Sequence, residues 1–395
     1  MSKLRSHLLV PILCLLTALG IFSTSLYLPS LPAIGQALGA SQESVQLTLA
    51  LFFLGSAVGS LLLGPLADHM GRLAVAKGGL LLFVLASFWC AVSQDIVSLQ
   101  MARFLQGMAA SAGPLVARAM GRDLYEGPHL TQFSATIMMV VSITPAIAPT
   151  LGGFIEVYLG WEKNFYLLMS FGTFVFLLVW FWLPETHNGQ KKSTGLSMIL
   201  KNYALLFKES SYGLFCLVIG LQMGALFCYI TLSPYLFIVH FGWLPQEYGC
   251  VGITSAFGNI AGFAFARQLA HRLHFHEGIL IGGLLCFLIS ALFVSIGYFF
   301  PIPAYLLILY IICFCACSAL AVVNASAAAM NLFPHMAGVA SAMVGAVQIG
   351  SGGFGSAFAS FLPNSPLFLG IGMGTLSLLS VLAGGLIAKK KWREH

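Results

Sequence analysis

Residues 45–93 read VQLTLALFFLGSAVGSLLLGPL, then ADHMGRL, then AVAKGGLLLFVLASFWCAVS. Two apolar runs flank a short polar break that carries Asp68 and Arg72. Each run matches the about 20 apolar residues that a helix needs to cross a hydrocarbon core of roughly 30 Å. In lipid the backbone must satisfy its own polar groups, and a helix does so within one segment. Barrel strands would be shorter and would alternate, and these runs do neither. The same rhythm of apolar run and polar break places spans near residues 8–28, 45–66, 74–93, 98–118, 131–153, 164–183, 212–236, 247–268, 278–299, 303–325, 337–360 and 366–388. The expected fold is therefore all-α and membrane-embedded, with twelve transmembrane helices. Composition agrees: of 395 residues, 59% are hydrophobic and 8% charged, and the mean hydropathy is +0.93. A soluble domain carries about a quarter charged residues. The first span follows Lys3 and Arg5, as a signal peptide would, but no small-x-small cleavage site follows it, and it is read as a true span.

The basic residues fix an expected orientation. Lys3, Arg5, Arg72, Lys77, Arg118, Arg122, Lys191, Lys192, Lys201, Lys208, Arg267, Arg272, Lys389, Lys390, Lys391 and Arg393 fall on one set of span ends, Lys163 falls on the other, and Arg103 lies inside a span. Both termini are expected in the cytoplasm, with the chain in a bacterial inner membrane. The net charge of +6 follows from this bias and gives no reason to expect a nucleic-acid partner. The nine cysteines lie in or at the ends of spans, and Cys313, Cys315 and Cys317 spread around one helix, so they read as small packing residues rather than disulfides or a metal site. The stretch His271-Arg-Leu-His274-Phe-His276 reads as a solvated basic turn.

The longest polar stretch separates spans six and seven. It divides the chain into an N-terminal six-helix half at 1–186, a linker at 187–210 and a C-terminal half at 211–395. The halves echo each other at an offset of about 200: Gly55 to Arg72 matches Ser255 to Arg272, and Ala148 to Gly153 matches Gln348 to Gly353. Two matches at one offset suggest duplication. Internal repeats are how many transporters build a central site.

Three segments carry mechanism. Gly64-Pro-Leu-Ala-Asp68-His-Met-Gly71-Arg72 joins spans two and three, with glycines that allow a tight turn and close helix approach, and an acid and a base four residues apart. It resembles the G-x-x-x-D-x-x-G-R signature of the major facilitator superfamily. That resemblance implies two pseudo-symmetric six-helix halves and a gate latched by Asp68 and Arg72, with Asp123, beside Arg122, as the acid partner. Span four reads Arg103-Phe-Leu-Gln106-Gly107. A guanidinium in an apolar helix is a functional hypothesis, although a residue near a span end can also snorkel to the interface. The family's R-x-x-Q-G pattern implies a role for Arg103 in proton transfer. Span five carries Ala148-Pro149-Thr-Leu-Gly152-Gly153, which looks like the exporters' G-P-x-x-G-G motif with Ala148 in place of its first glycine; plain helix packing is the alternative reading of the same residues. Tyr27-Leu-Pro29-Ser-Leu-Pro32, Gln46-Leu-Thr48, Phe52-Phe-Leu-Gly55 and Arg122-Asp123 look like the Bcr/CflA drug-resistance subfamily. Relatives there commonly place an aspartate just before the Y-L-P segment, where this chain reads Ser23-Thr24-Ser25.

All twelve acids lie in loops or at span ends. Proton coupling ordinarily uses a buried acid. Glu156, at the external end of span five, and His240 are the nearest candidates, each with a surface alternative. The substrate site is expected between the halves, lined by Tyr27, Gln46, Gln106, Met138, Gln222, Tyr229, Tyr235, Asn324 and Gln348, with Phe227 and Phe257 as walls. Each of these also fits helix packing. The expectation is a monomeric secondary transporter, not an enzyme, that exports drugs or other small amphipathic molecules by alternating access. The lipid bilayer and a small-molecule substrate are its partners, protons its coupling ion, and neither cofactor nor metal is expected. A dedicated carrier of a native metabolite or siderophore is the alternative reading.

Overall fold

The spans emerge as helices whose breaks follow glycine, proline and capping residues. The computed structural model describes residues 3–186, 205–206, 208–269, 272–333 and 337–391. Most of the 187–210 linker, with Lys191, Lys192 and Lys201, lies outside the described residues, as do His271, Arg393 and the side chains of Lys3, Arg5, Met138, Lys390 and Lys391. Two compact units form: Met1–Ser197 with Leu244–Cys250, and Met198–Trp243 with Val251–His395.

The first unit holds α1 (Lys3–Ser25), a 3-10 turn (Leu28–Ser30), α2 (Leu31–Ala37), α3 (Gln42–Met70), α4 (Arg72–Val92), α5 (Ile96–Ala110), α6 (Ala112–Leu124), α7 (Gly127–Leu159) and α8 (Glu162–Trp182). The second holds α9 (Ser210–Pro234) with a π-helical extension (Tyr235–His240), α11 (Val251–Leu269), α12 (Phe275–Phe299), α13 (Ala304–Asn331), α14 (Ala337–Ser360) and α15 (Pro366–Lys391). The short α10 (Pro245–Gly249) packs on α7 and the 3-10 turn, and so belongs to the first unit although it precedes the eighth span.

Ten helical stretches among the described residues are long and apolar enough to cross a membrane. The fourth span drops out because it is broken at Ser111 into helices of 15 and 13 residues. Pro114 has no N–H to give the Ala110 carbonyl, which is where the ladder lapses. The eleventh, α14, is rich in glycine and serine and also falls outside the ten. The segment from Ala67 to Met70, read as part of the polar break after span two, is the last turn of α3, which continues through Pro65. The turn shrinks to the single residue Gly71, at φ 95° and ψ 158°. That backbone region is open essentially to glycine alone.

In the first unit α3 crosses α5, α4 packs on α8, and α1 lies against α7. The α3–α5 crossing is set by absent side chains. A Cβ on Gly107 would stand 1.9 Å from the Phe52 carbonyl oxygen, and one on Gly55 would stand 2.0 Å from that of Phe104. Gly59, one turn on, faces Met108 in the same way. Small residues at a spacing of four let helix backbones touch, which is how helices associate where lipid removes the usual hydrophobic drive. In the second unit α9 packs on α14 and α15, and α12 on α13 and α15. The Tyr212 hydroxyl donates to the Ala340 carbonyl at 2.9 Å, and Thr231 to Ser356 Oγ at 2.8 Å.

Gly107→Ala should therefore force α3 and α5 apart and destabilise the purified protein by about 1–3 kcal/mol, the usual scale of overpacking. Gly78→Ala is the control, since nothing lies within 4 Å of its added methyl. Thermal melting in detergent should show a lowered Tm for the first variant and one that is unchanged or raised for the second, since alanine favours a helix interior over glycine.

Candidate functional site

The close α3–α5 crossing brings Arg103 of α5 against α3 and α1. Its side chain is 0% exposed, which rules out snorkelling. The guanidinium carbon lies 4.2 Å from the Tyr27 ring centroid, 4.3 Å from that of Phe52 and 5.9 Å from that of Phe165. Nη1 donates to the Ser23 carbonyl at 3.2 Å and to Gln106 Oε1. Gln106, one turn along the same face, donates through Nε2 to Ser87 Oγ at 2.8 Å. Tyr27 and Thr48 hydroxyls bond at 3.0 Å. Nε and Nη2 of Arg103 find no hydrogen-bond acceptor, and no carboxylate pairs with the guanidinium, among the described residues. Where the resemblance leads one to expect an aspartate, the arginine meets a backbone carbonyl of the Ser23-Thr24-Ser25 stretch.

A second cluster gathers around Gly71. Arg72 Nη1 reaches Asp68 Oδ1 at 2.5 Å, and its Nε reaches Asp123 Oδ2 at 3.3 Å. Asp123 also accepts from Thr186 Oγ1 at 3.1 Å. Glu185, at the end of the N-terminal half and not among the expected site residues, accepts from the backbone N–H groups of Arg72 and Leu73 at 3.1 and 3.0 Å. It thus caps α4, whose own N-cap residue is a glycine with no side chain to do so. A Cβ on Gly71 would lie 2.5 Å from this carboxylate. Sequence spacing carried no signal for Glu185, because its partners lie more than a hundred residues away. Gly64 does not make the expected close approach: its nearest neighbour would be Leu115 Cδ1 at 3.8 Å. Arg122 is exposed and forms no ion pair among the described residues.

The span-five residues bring backbones together. A Cβ on Gly152 would sit 1.7 Å from the Leu26 carbonyl oxygen, and one on Gly153 would sit 2.3 Å from that of Pro245 on α10. Pro149 lies inside α7 beside the buried Ala148. Of the expected substrate residues, Tyr27 and Gln106 join the Arg103 cluster. Gln46 is buried in the first unit and Gln222 in the second, and neither amide finds a partner among the described residues. Tyr229 and Tyr235 are buried; Asn324 is half-buried and donates to the Leu320 carbonyl at 2.8 Å; Gln348 is half-buried. Of the two walls, Phe227 is half-buried, whereas Phe257 is 63% exposed. The side chain of Met138 lies outside the described residues.

The family model for the Major Facilitator Superfamily matches residues 13–356. The chain belongs to that superfamily. It is 28% identical over 374 residues to the "Bicyclomycin resistance protein homolog" of Haemophilus influenzae, covering 93% of each chain. It is 27% identical over 389 residues to "Multidrug resistance protein D" of Escherichia coli, covering 98% of this chain and 95% of that one. These names accord with the Bcr/CflA resemblance. Among solved structures, an inward-facing bacterial homologue of the human lysosomal transporter Spinster superposes with a TM-score of 0.76 at 13% identity, covering 98% of this chain and 96% of that one. The xylose transporter XylE of E. coli superposes with a TM-score of 0.71 at 14% identity, covering 95% of each. The superfamily protein is a multi-pass membrane transporter with the twelve-helix fold, and it is not an enzyme.

Loss of the cap provides a direct test of the Gly71 cluster. Glu185→Ala should lower stability by about 1 kcal/mol, the common value of a lost helix cap. Gly71→Ala should cost more, about 1–3 kcal/mol from the backbone region alone, because the methyl also displaces the carboxylate. Thermal melting of the two variants against wild type checks the order.

Proposed function

We propose that this transporter is a secondary active exporter of drugs or other small amphipathic molecules, driven by protons and working by alternating access as a monomer. The observation that carries the reading is Arg103: a fully buried cation with two unpaired donors and no counter-carboxylate among the described residues. Such a group sits on aromatic faces that shield it from lipid while leaving hydrogen-bonding capacity unspent. A ligand or a protonated neighbour that engages those donors changes the energy of the whole cluster. Ligands shift a conformational equilibrium only by their differential affinity for its states. A half-satisfied cation is a natural place for that difference to arise.

The drug-resistance names of the relatives support export of amphipathic compounds. So do the buried, unpaired amides of Gln46 and Gln222, which suit a neutral or zwitterionic ligand better than a cation. We place the Asp68–Arg72–Asp123 cluster at the cytoplasmic gate and both termini in the cytoplasm, on the positive-inside bias. The absence of a glycine at Ala148 favours a second reading, a dedicated carrier of a native metabolite or siderophore.

Accumulation of a panel of fluorescent and antibiotic compounds in an efflux-deficient bacterial host tests this. Cells carrying wild type should accumulate less of at least one compound, and a protonophore should abolish the difference. Arg103→Ala should abolish it too. Arg103→Lys, which keeps the charge but not the planar fork, should recover it only in part. An unchanged panel, with the protein folded in the membrane, would transfer the assignment to the dedicated carrier.

A further inference from the structure

The structure accounts for nearly every carboxylate in the described residues. Asp95, Glu209, Glu247 and Glu277 accept backbone N–H groups at helix starts, as Glu185 does at α4. Glu43, Glu126 and Glu162 lie in a first turn or at an N-cap, where the helix dipole favours negative charge. Asp68 and Asp123 neutralise Arg72. Glu156 fits none of these classes. It lies in the last turn of α7, where the dipole opposes a carboxylate, and no cation pairs with it among the described residues. Its Oε2 is out of solvent and without a hydrogen-bond partner.

The surroundings of Glu156 are short of protons. The Ser30 hydroxyl faces its carboxyl. Asn164 of α8, fully buried, donates through Nδ2 to Ser30 Oγ at 2.9 Å and to the Gly152 carbonyl at 3.5 Å, which uses both of its N–H bonds. Asn164 Oδ1 is left with no donor. Glu156 Oε2 and Asn164 Oδ1 are two acceptors without a donor among the described residues, and protonation gives the Glu156 carboxyl a hydrogen to donate. Buried polar groups left unpaired are costly, so this cluster gains from protonation in a way that the capped and paired acids do not.

The cluster is tied to Arg103 by one short element. Ser30 closes the 3-10 turn that begins after Tyr27, with its N–H donating to the Tyr27 carbonyl at 2.9 Å. The Tyr27 ring carries the guanidinium on its face. Phe165, next to Asn164, touches both that ring and Arg103. The other charged groups on the elements packed at this end of α7 are Glu162 and Lys163 on α8 and Glu247 on α10; the 3-10 turn and α2 bring none. Glu247 is held by the Leu244 N–H at 2.8 Å, and Lys163 sits over the Tyr166 ring at 5.0 Å. Glu162 is the remaining like charge that acts on Glu156.

We propose that Glu156 is the carboxylate that binds and releases the coupling proton, and that Ser30 relays its protonation through the Tyr27–Ser30 turn to Arg103. This rests on the reading of the chain as a proton-driven exporter. The experiment uses the full chain, purified and reconstituted, as wild type, Glu156→Gln and Glu156→Asp. A pH-difference infrared spectrum should show the carbonyl band of a protonated carboxyl in wild type, its loss in Glu156→Gln and a displaced band in Glu156→Asp. In proteoliposomes, with a compound taken from the accumulation panel, Glu156→Gln should lose uphill transport driven by a pH gradient. It should keep counterflow of the same compound without a gradient, since exchange needs no net proton movement.

A band that persists in Glu156→Gln, or gradient-driven transport that survives it, would overturn the assignment. Loss of counterflow together with uphill transport in a folded variant would make Glu156 structural and would also overturn it. A wild type that shows the Glu156 band but drives no compound with a gradient would overturn the exporter reading itself, so the two failures are separable.

Discussion

The first unit is organised around the problem of keeping the charge of Arg103 inside an apolar bundle. Placing arginine at the centre of a transmembrane helix costs about 2.5–3.5 kcal/mol on insertion scales. A desolvated contact with an aromatic face returns about 2 kcal/mol. Two rings at 4.2 and 4.3 Å are thus enough to hold the guanidinium without a carboxylate. The Phe52 ring sits on α3 and reaches the arginine because α3 and α5 touch at Gly55 and Gly107, while the Tyr27 ring comes from the bend between α1 and the 3-10 turn. The glycine crossing comes first, the aromatic box depends on it, and the buried cation depends on the box.

Much of this was legible in the sequence because it is written in short-range spacing. Arg103, Gln106 and Gly107 fall on one local stretch of α5, and Asp68 and Arg72 lie one helical turn apart. What the sequence did not disclose was whatever depends on which residues meet across the fold. Glu185 reaches Arg72 over 113 positions, and Asn164 reaches Ser30 over 134. Periodicity constrains neighbours within a turn or two and says nothing about such pairs. The same limit applies to Gly64: a glycine in a span permits close helix approach, but whether a neighbour comes close is decided by the fold, and here only Leu115 Cδ1 does, at 3.8 Å.

The census of acids shows what a polar group is worth to a membrane helix. Lipid offers no water to finish a helix end, so the orphan N–H groups of each first turn draw on carboxylates. Asp95, Glu185, Glu209, Glu247 and Glu277 are held there by backbone donors as part of the fold. That division between structural and uncommitted acids is invisible to a count of charges. It follows only once the helix starts are known.

The two polar clusters of the first unit differ in one physical respect, and that difference is the ground for the roles proposed for them. Around Gly71 each charged group has an opposite partner or a backbone donor: Arg72 holds two aspartates, and Glu185 holds two amides. A network satisfied in this way is rigid and resists change until something breaks it whole. Around Tyr27 and Ser30 the opposite holds: Arg103 keeps two donors unspent, and Asn164 and Glu156 keep acceptors unspent. A partly satisfied buried network in low dielectric lies far from its lowest energy, so a single proton or ligand group moves it by more than it would move a completed one. The Gly71 cluster therefore suits a latch. The Tyr27–Ser30 turn, with a cation at one end and an uncommitted carboxylate at the other, suits the part that senses what the latch must answer to.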